Sequence, residues 1–137
     1  MSDEWVKLLP QTDHVSAHYW AAARDGRLLI QQCDHCGHRQ WYPRALCTEC
    51  GADTAWLECQ GSGVVHTYTV IRQMGMAGFR DEVPYVVAMI ELAEGPRMMG
   101  NVVGIDIDDV HIGLAVEAFF IDAADDVGVP QWRKASV

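Results

Sequence analysis

Apolar side chains recur every three to four positions near the start of the chain, the spacing of one face of a helix. In residues 14–25 these positions are Val15, Tyr19, Ala22 and Ala23, with Trp20 beside them. Thr12 or Asp13 can cap the start of the helix, and Gly26 stands where a C-terminal glycine cap belongs. The pattern therefore predicts one N-terminal helix, preceded by a tail.

After Gly26 the pattern changes to short stretches in which apolar and polar positions alternate, as in strands. Two of them, 27–33 and 54–59, flank a cysteine-rich segment. The later stretches are rich in β-branched and aromatic residues and comprise 64–73, 84–92, 96–104 and 114–122. Several short strands separated by glycine turns predict a small barrel. Residues 105–113 are expected to form a turn with a short helical piece.

These patterns divide the chain into four parts. We expect a tail and helix over 1–26, a ribbon over 27–60, the barrel over 61–123 and a C-terminal tail over 124–137. At 137 residues the chain is one domain of ordinary size or two small modules.

Four cysteines form two pairs, Cys33/Cys36 and Cys47/Cys50, each with a glycine directly after it. Each pair places two sulfurs on one tight turn. Two such turns facing each other present four thiolates at the corners of a tetrahedron, which suits Zn²⁺ in a closed structural site. The spacing therefore predicts a structural zinc ion, and its role is to hold a segment too small to bury much of itself.

Other readings of these cysteines are open. Four thiolates also bind iron, and His35 or His38 could replace one cysteine. Disulfides fit poorly, because residues 1–10 contain Asp3 and Glu4 and no apolar run that would indicate a secretory signal. Two redox-active cysteine pairs at this spacing are also disfavoured. We expect a cytoplasmic protein without a membrane-spanning segment.

The charge balance argues against nucleic acid as a partner. The formal net charge is −9, both halves of the chain are acidic, and neither contains a basic cluster. Binding to a phosphate backbone depends on clustered Lys and Arg side chains that displace counterions, and this chain lacks such a basic cluster.

The sequence contains no motif for catalysis of its own. It has no GxSxG, no glycine-rich phosphate loop and no HExxH. His66 could act as a general base, but a solvent-facing strand histidine is the preferred reading, and His14 with His18 is read as a polar helix face. A zinc ion with four cysteine ligands has no open position for water, so we expect no enzyme activity from this chain by itself.

Large apolar side chains are numerous for such thin modules, which indicates a protein partner. The candidates for an interface are Trp20, Trp41, Tyr42, Met74, Met76 and Phe79. The competing explanation is that the helix folds back and covers the ribbon.

The chain resembles a known family, the zinc-ribbon and OB-fold proteins associated with acyl-CoA enzymes, formerly a domain of unknown function. The matching stretches are YWAAARDGRL, CDHCGHRQWYPRALCTECG, ECQGSGVVHTYTV, PYVVAMIELAEGPRMMGNVVG and HIGLAVEAFF, which together span about residues 19–120. The resemblance implies a mainly β protein with an N-terminal helix, a rubredoxin-like zinc ribbon and a small OB-fold barrel. It also assigns Cys33, Cys36, Cys47 and Cys50 as the zinc ligands.

Members of that family are small, non-catalytic subunits that stabilise thiolase-like enzymes in acyl-CoA and lipid metabolism and help form the CoA-binding region. The resemblance therefore implies a thiolase or CoA-thioester aldolase as partner, in a hetero-oligomer, with acyl-CoA at a shared site. Candidates for contact with CoA phosphates are Arg72, Arg80 and Arg97. The alternative is a free-standing OB-fold module that binds acyl-CoA or nucleic acid.

Overall fold

The computed structural model describes residues 5–73 and 75–136 and shows a mainly β protein. One helix, a three-stranded sheet and a closed five-stranded barrel follow one another along the chain. The elements are α1 Ala17–Arg24, β1 Leu29–Cys33, β2 Arg39–Gln40, β3 Thr54–Glu58, β4 Ser62–Ile71, β5 Tyr85–Leu92, β6 Arg97–Val102, a 3₁₀ helix Ile107–Asp109, β7 Ala115–Ala124 and β8 Val127–Lys134. The predicted fold class is therefore confirmed, and the short helical piece lies in the predicted turn.

The N-terminal helix is shorter than the predicted range 14–25, because residues before Ala17 form its capping turn. The Asp13 carboxylate accepts from the backbone N–H groups of Val15 (3.0 Å) and Ser16 (2.8 Å), and the Asp13 carbonyl accepts from Ala17. These bonds also lower the pKa of the Asp13 carboxyl, chiefly through the Ser16 N–H. Asp13, one of the two predicted capping residues, therefore caps the turn that precedes the helix, while Ser16 occupies the N-cap position of α1 without a side-chain cap bond.

The helix ends at the predicted glycine. The Gly26 N–H donates to the Ala23 carbonyl (3.0 Å), and the Arg27 N–H donates to the Ala22 carbonyl (2.9 Å). This pair of bonds is the Schellman arrangement, which satisfies carbonyls that a helix end otherwise leaves unpaired. The chain then turns directly into β1.

The ribbon is an antiparallel sheet in the order β2-β1-β3. Two of its three glutamines, Gln31 and Gln40, are buried and hydrogen-bonded to each other at 2.9 Å. Gln31 also accepts from the Arg44 N–H and donates to the Arg44 carbonyl, both at 2.8 Å, and Gln40 accepts from the Thr48 N–H at 2.9 Å. Buried amides need such partners, and here they fix the loop between the cysteine pairs onto the sheet.

The barrel closes in the order β4-β5-β6-β8-β7. In β5 every second residue is buried, which places Val86, Ala88, Ile90 and Leu92 in the core. A parallel contact between Val102 of β6 and Trp132 of β8 closes the barrel, and Trp132 has no exposed surface. The sequence therefore uses one face of each strand to build a single interior.

The predicted C-terminal tail over 124–137 is wrong for residues 127–134, which form β8. Its burial pattern does not alternate, because β8 faces the barrel core on one side and helix α1 on the other. A strand buried on both faces loses the period of two that identifies strands in a sequence.

Helix α1 joins the two modules. It packs mainly on β8, with further contacts to β7 and to β1 of the ribbon. The Tyr19 ring lies 4.5 Å from the Trp41 ring, and the His18 ring lies 5.3 Å from the Trp56 ring. The competing explanation from the sequence, a helix that covers the ribbon, is thus partly right, but the barrel receives most of the helix surface.

Close packing of α1 on β8 depends on Gly128, where a Cβ atom would overlap the backbone of Ala23 and Arg24. We expect Gly128→Ala to push the helix off the barrel and to lower the free energy of unfolding by about 1–3 kcal/mol. Denaturant unfolding measures this change. The matched control is Gly75→Ala, whose Cβ would approach nothing closer than 3.8 Å. Equal stability of the two variants would contradict the packing argument.

Candidate functional site

The four cysteines of the ribbon come together at one point. Their sulfurs all lie within 4.8 Å of one another, with Cys33 and Cys50 3.5 Å apart and Cys36 and Cys47 3.7 Å apart. In tetrahedral coordination with metal–sulfur bonds of about 2.3 Å, the sulfur atoms lie about 3.8 Å from one another. The donor set and its spacing therefore fit a zinc ion.

Each pair is held on a tight turn in which the backbone points N–H groups at a sulfur. The Cys33 sulfur receives the N–H groups of His35 and Cys36, both at 3.3 Å, and the Cys47 sulfur receives that of Glu49 at 3.4 Å. Gly37 and Gly51 follow the pairs with φ of 76° and 78°, as the sequence predicts for these turns. Such N–H groups stabilise thiolates, the form that binds a metal.

The electrostatics of the cluster favour the thiolate of Cys33 and oppose that of Cys36. The backbone N–H of Cys36 is the main cause that lowers the pKa of Cys33 to about 6. The N–H of His38 acts in the same sense on Cys36, but desolvation and the adjacent sulfurs raise the pKa of Cys36 to about 12. A divalent cation removes this conflict, because its charge stabilises all four thiolates at once.

The neighbouring histidines stand apart from this cluster. His35 is exposed and His38 is partly exposed, and neither belongs to the group of side chains whose ligand atoms converge. Cys59, the fifth cysteine, is buried in the core, where burial raises its pKa to about 12. His66, the histidine weighed as a general base, is exposed on β4.

A second feature is an apolar cleft of about 380 Å³ at the junction of helix, ribbon and barrel. We call it the aromatic cleft. Its main walls are Tyr19, Trp20, Trp41, Phe79, Tyr85 and Met99. Three of the predicted interface residues, Trp20, Trp41 and Phe79, thus meet on one surface.

The remaining predicted interface residues lie around the aromatic cleft. Met76 is 59% exposed and lines a smaller adjoining pocket with Phe79, and Met74 lies outside the described residues. Tyr42 is on the ribbon side, with its ring 5.0 Å from that of Trp41. Sequence reasoning missed Met99, which is 68% exposed, although its position next to buried Met98 in a strand indicates an outward side chain.

The three arginines predicted to meet CoA are not brought together. Arg72 follows Ile71, which pairs with Tyr85 at the start of β5, whereas Arg97 pairs with Glu91 near the end of β5. Six residues of strand separate these ends by ~20 Å. Arg80 donates to the Gly75 carbonyl within its own loop, at 3.0 Å. Arg97 instead lines a different cleft, beside Arg39 and Arg44 of the ribbon.

Comparison with known proteins agrees with this architecture. The family model described as the ChsH2 rubredoxin-like zinc ribbon domain matches residues 20–55, and that of the ChsH2 C-terminal OB-fold domain matches residues 56–120. A DUF35 domain-containing scaffold protein of Methanocaldococcus jannaschii is 35% identical over 79% of this chain and 78% of its own length. The chain belongs to the ChsH2-type DUF35 family. The family resemblance seen in the sequence is confirmed, including its zinc ribbon and OB-fold.

Among solved structures, one described as Ltp2-ChsH2(DUF35) aldolase is 35% identical, with a TM-score of 0.84, and the match covers 93% of this chain and 100% of that chain. A DUF35 family protein from Sulfolobus solfataricus, at 15% identity and a TM-score of 0.60, shares the fold.

A longer relative is described as a probable enoyl-CoA hydratase alpha subunit of Thermomonospora curvata. It is 35% identical over 92% of this chain but only 39% of its own length. This family member therefore spans about two fifths of that relative.

Within the described residues, no helix has the length and apolar character needed to cross a membrane.

The sulfur cluster generates a direct test. We expect Cys47→Ser to lose bound metal and to unfold the ribbon, because structural zinc contributes on the order of 10–16 kcal/mol in zinc-finger peptides. Elemental analysis gives the metal content per chain, and thermal unfolding with and without a chelator gives its contribution to stability. Cys59→Ala is the control and should retain its metal. Full metal content and unchanged unfolding in Cys47→Ser would contradict a four-cysteine site.

Proposed function

We propose that this chain is a non-catalytic accessory subunit of a thiolase-like enzyme, a thiolase or CoA-thioester aldolase, that acts on acyl-CoA. In this role it stabilises the complex and helps form the CoA-binding region. The observation that carries the proposal is the match to the Ltp2-ChsH2(DUF35) aldolase structure, which covers all of the matched chain at 35% identity. The description of the archaeal relative as a scaffold protein supports a role in assembly.

We assign Zn²⁺ to Cys33, Cys36, Cys47 and Cys50, with iron as the alternative occupant of the same four-sulfur site. Four thiolates fill the tetrahedral shell and leave no position for water or substrate. The metal therefore supplies folding energy to the ribbon, which supports a structural and not a catalytic role.

The aromatic cleft is our candidate for the surface that docks on the partner. Trp, Tyr, Phe and Met are enriched at the centres of protein interfaces, and here they converge from three parts of the fold. Met99 and Met76 expose flexible side chains at its edge, which can adapt to an opposing surface.

Residues 5–9 and the loop after β4 form one rim of this surface. Lys7 lies over the rings of Phe79 (4.7 Å) and Trp5 (5.2 Å) and pairs with Glu82 at 3.0 Å. The side chain of Lys7 is only 12% exposed, so these contacts hold Phe79 in place from one side. Arg72 and Arg80 flank this loop and are candidates for contact with CoA.

The docking surface is best tested at Met99, because an exposed side chain can be changed without disturbing the core. We expect Met99→Lys to weaken association with the partner by more than about tenfold, since it places a charge within an apolar contact. The matched control is Ile112→Lys, which changes a side chain that is 67% exposed, as Met99 is 68% exposed, and lies outside the aromatic cleft.

The measurement is affinity purification from the native host, with identification of the partner by mass spectrometry and elemental analysis of the eluate. A stoichiometric thiolase-like chain with wild-type bait and Ile112→Lys bait, but not with Met99→Lys bait, is the expected result. Equal recovery with all three baits would remove the aromatic cleft as the docking surface. A lone, metal-loaded monomer with wild-type bait would refute the subunit proposal and favour a free-standing binding module.

A further inference from the structure

A second cleft, of about 310 Å³, lies between the ribbon and the start of β6. Its charged walls are Arg39 and Arg44 of the ribbon and Arg97 of the barrel, with His38 beside them. We call it the basic cleft. It shares Trp41 with the aromatic cleft, so the two clefts adjoin at this residue.

The charge of the basic cleft is opposite to that of the protein as a whole. The chain has ten Lys and Arg against nineteen Asp and Glu, yet three arginines line this cleft and none of the acidic residues that the structure describes does. Guanidinium groups repel one another, so their convergence in one concave site costs free energy unless an anion is bound there. The arrangement therefore points to a negatively charged ligand.

Two of the three guanidinium groups are not neutralised by carboxylates. Within residues 5–73 and 75–136, neither Arg39 nor Arg44 takes part in an ion pair. Arg39 donates from Nη1 to the neutral Glu94 carbonyl at 3.2 Å, and the Arg44 guanidinium lies 5.6 Å from the centre of the Tyr42 ring. Both contacts orient a guanidinium while leaving further donors available.

Arg97 does have a carboxylate partner, Glu91, at 3.3 Å. The two side chains are 51% and 44% exposed, and ion pairs this exposed contribute about 0–1 kcal/mol. A doubly charged phosphate in the cleft can therefore compete with Glu91 for the Arg97 donors.

Hydrogen bonds to the ribbon sheet fix the ribbon wall of the basic cleft. The Gln31 side chain accepts from the N–H of Arg44 and donates to its carbonyl, and the Gln40 side chain accepts from the N–H and the hydroxyl of Thr48. Both glutamines are buried, so this backbone is fixed by the sheet before any ligand arrives. A preformed wall reduces the entropy cost of binding.

We propose that the basic cleft binds the phosphate groups of a nucleotide-bearing ligand, through Arg39, Arg44 and Arg97. Arginine matches phosphate oxygens with paired donors, and the Tyr42 and Trp41 rings offer apolar surface for a base. A nucleic-acid strand fits less well, because a net charge of −9 repels a long polyanion while one small cleft still accepts a compact one. The proposal rests on the proposed function, since CoA contains such a phosphorylated nucleotide.

The test is calorimetric titration of the metal-loaded full chain with CoA, 3′-dephospho-CoA, inorganic pyrophosphate and a short single-stranded oligonucleotide. We expect CoA to bind more tightly than 3′-dephospho-CoA and pyrophosphate, and added salt to weaken the binding. We expect Arg39→Gln and Arg44→Gln each to weaken CoA binding by about tenfold. Metal content and unfolding temperature of each variant show that the ribbon is intact.

Arg133→Gln is the matched control for lost charge, since Arg133 pairs with Glu117 at 3.0 Å and lies outside the basic cleft. Its affinity for CoA should equal that of the wild type. Arg72→Gln and Arg80→Gln test the competing location beside the loop. Loss of CoA binding in those two variants, with Arg39→Gln and Arg44→Gln unaffected, would overturn the proposal.

Other outcomes are equally decisive. A higher affinity for the oligonucleotide than for CoA would contradict the proposal that the cleft binds a compact nucleotide. Equal affinities for pyrophosphate and CoA would contradict it as well, because the nucleotide would then contribute nothing. Recovery of a thiolase-like partner together with no CoA binding, alone or in the complex, would refute the basic cleft and leave the proposed function standing. Arginine-dependent CoA binding by a chain that has no such partner would support the cleft and refute the subunit role.

Discussion

The packing of helix α1 between the ribbon and β8 is the interaction on which the rest of the structure depends. Tyr19 and Ala22 of the helix, Leu29 and Ile30 of the ribbon and Trp132 of the barrel belong to one continuous core. Neither the helix nor the ribbon could bury this much apolar surface alone. Both clefts exist only because this contact holds the ribbon against one side of the barrel.

The outer half of the ribbon lies beyond that core and is stabilised differently. The four cysteines hold one end, and the hydrogen bonds of Gln31 and Gln40 hold the loop between the cysteine pairs. A bound metal and buried amides replace hydrophobic burial where the chain is too thin to form an interior. This division explains why polar groups are buried in the ribbon while the interior of the barrel is apolar.

The arrangement also gives the ribbon two different surfaces. Trp41 lines both the aromatic cleft, where helix and loop residues meet, and the basic cleft, where three arginines meet. In the proposed complex the aromatic cleft contacts the partner protein and the basic cleft contacts an anionic ligand.

The sequence alone predicted the helix, its cap at Thr12 or Asp13 and its end at Gly26, the four-cysteine cluster and most of the strands. These features depend on local spacing, which is visible in a single chain. It failed at β8, because a strand covered on both faces shows no alternation.

Which distant side chains share a surface is visible only in the folded chain. Arg97 lies ~20 Å from Arg72 along β5 and beside Arg39 and Arg44, which are more than fifty residues earlier in the chain. The same holds for Trp20, Phe79 and Met99, which meet because strand order and helix packing bring them together. Spacing along a chain carries no information about such contacts, since they arise from the closure of the barrel and the docking of the helix.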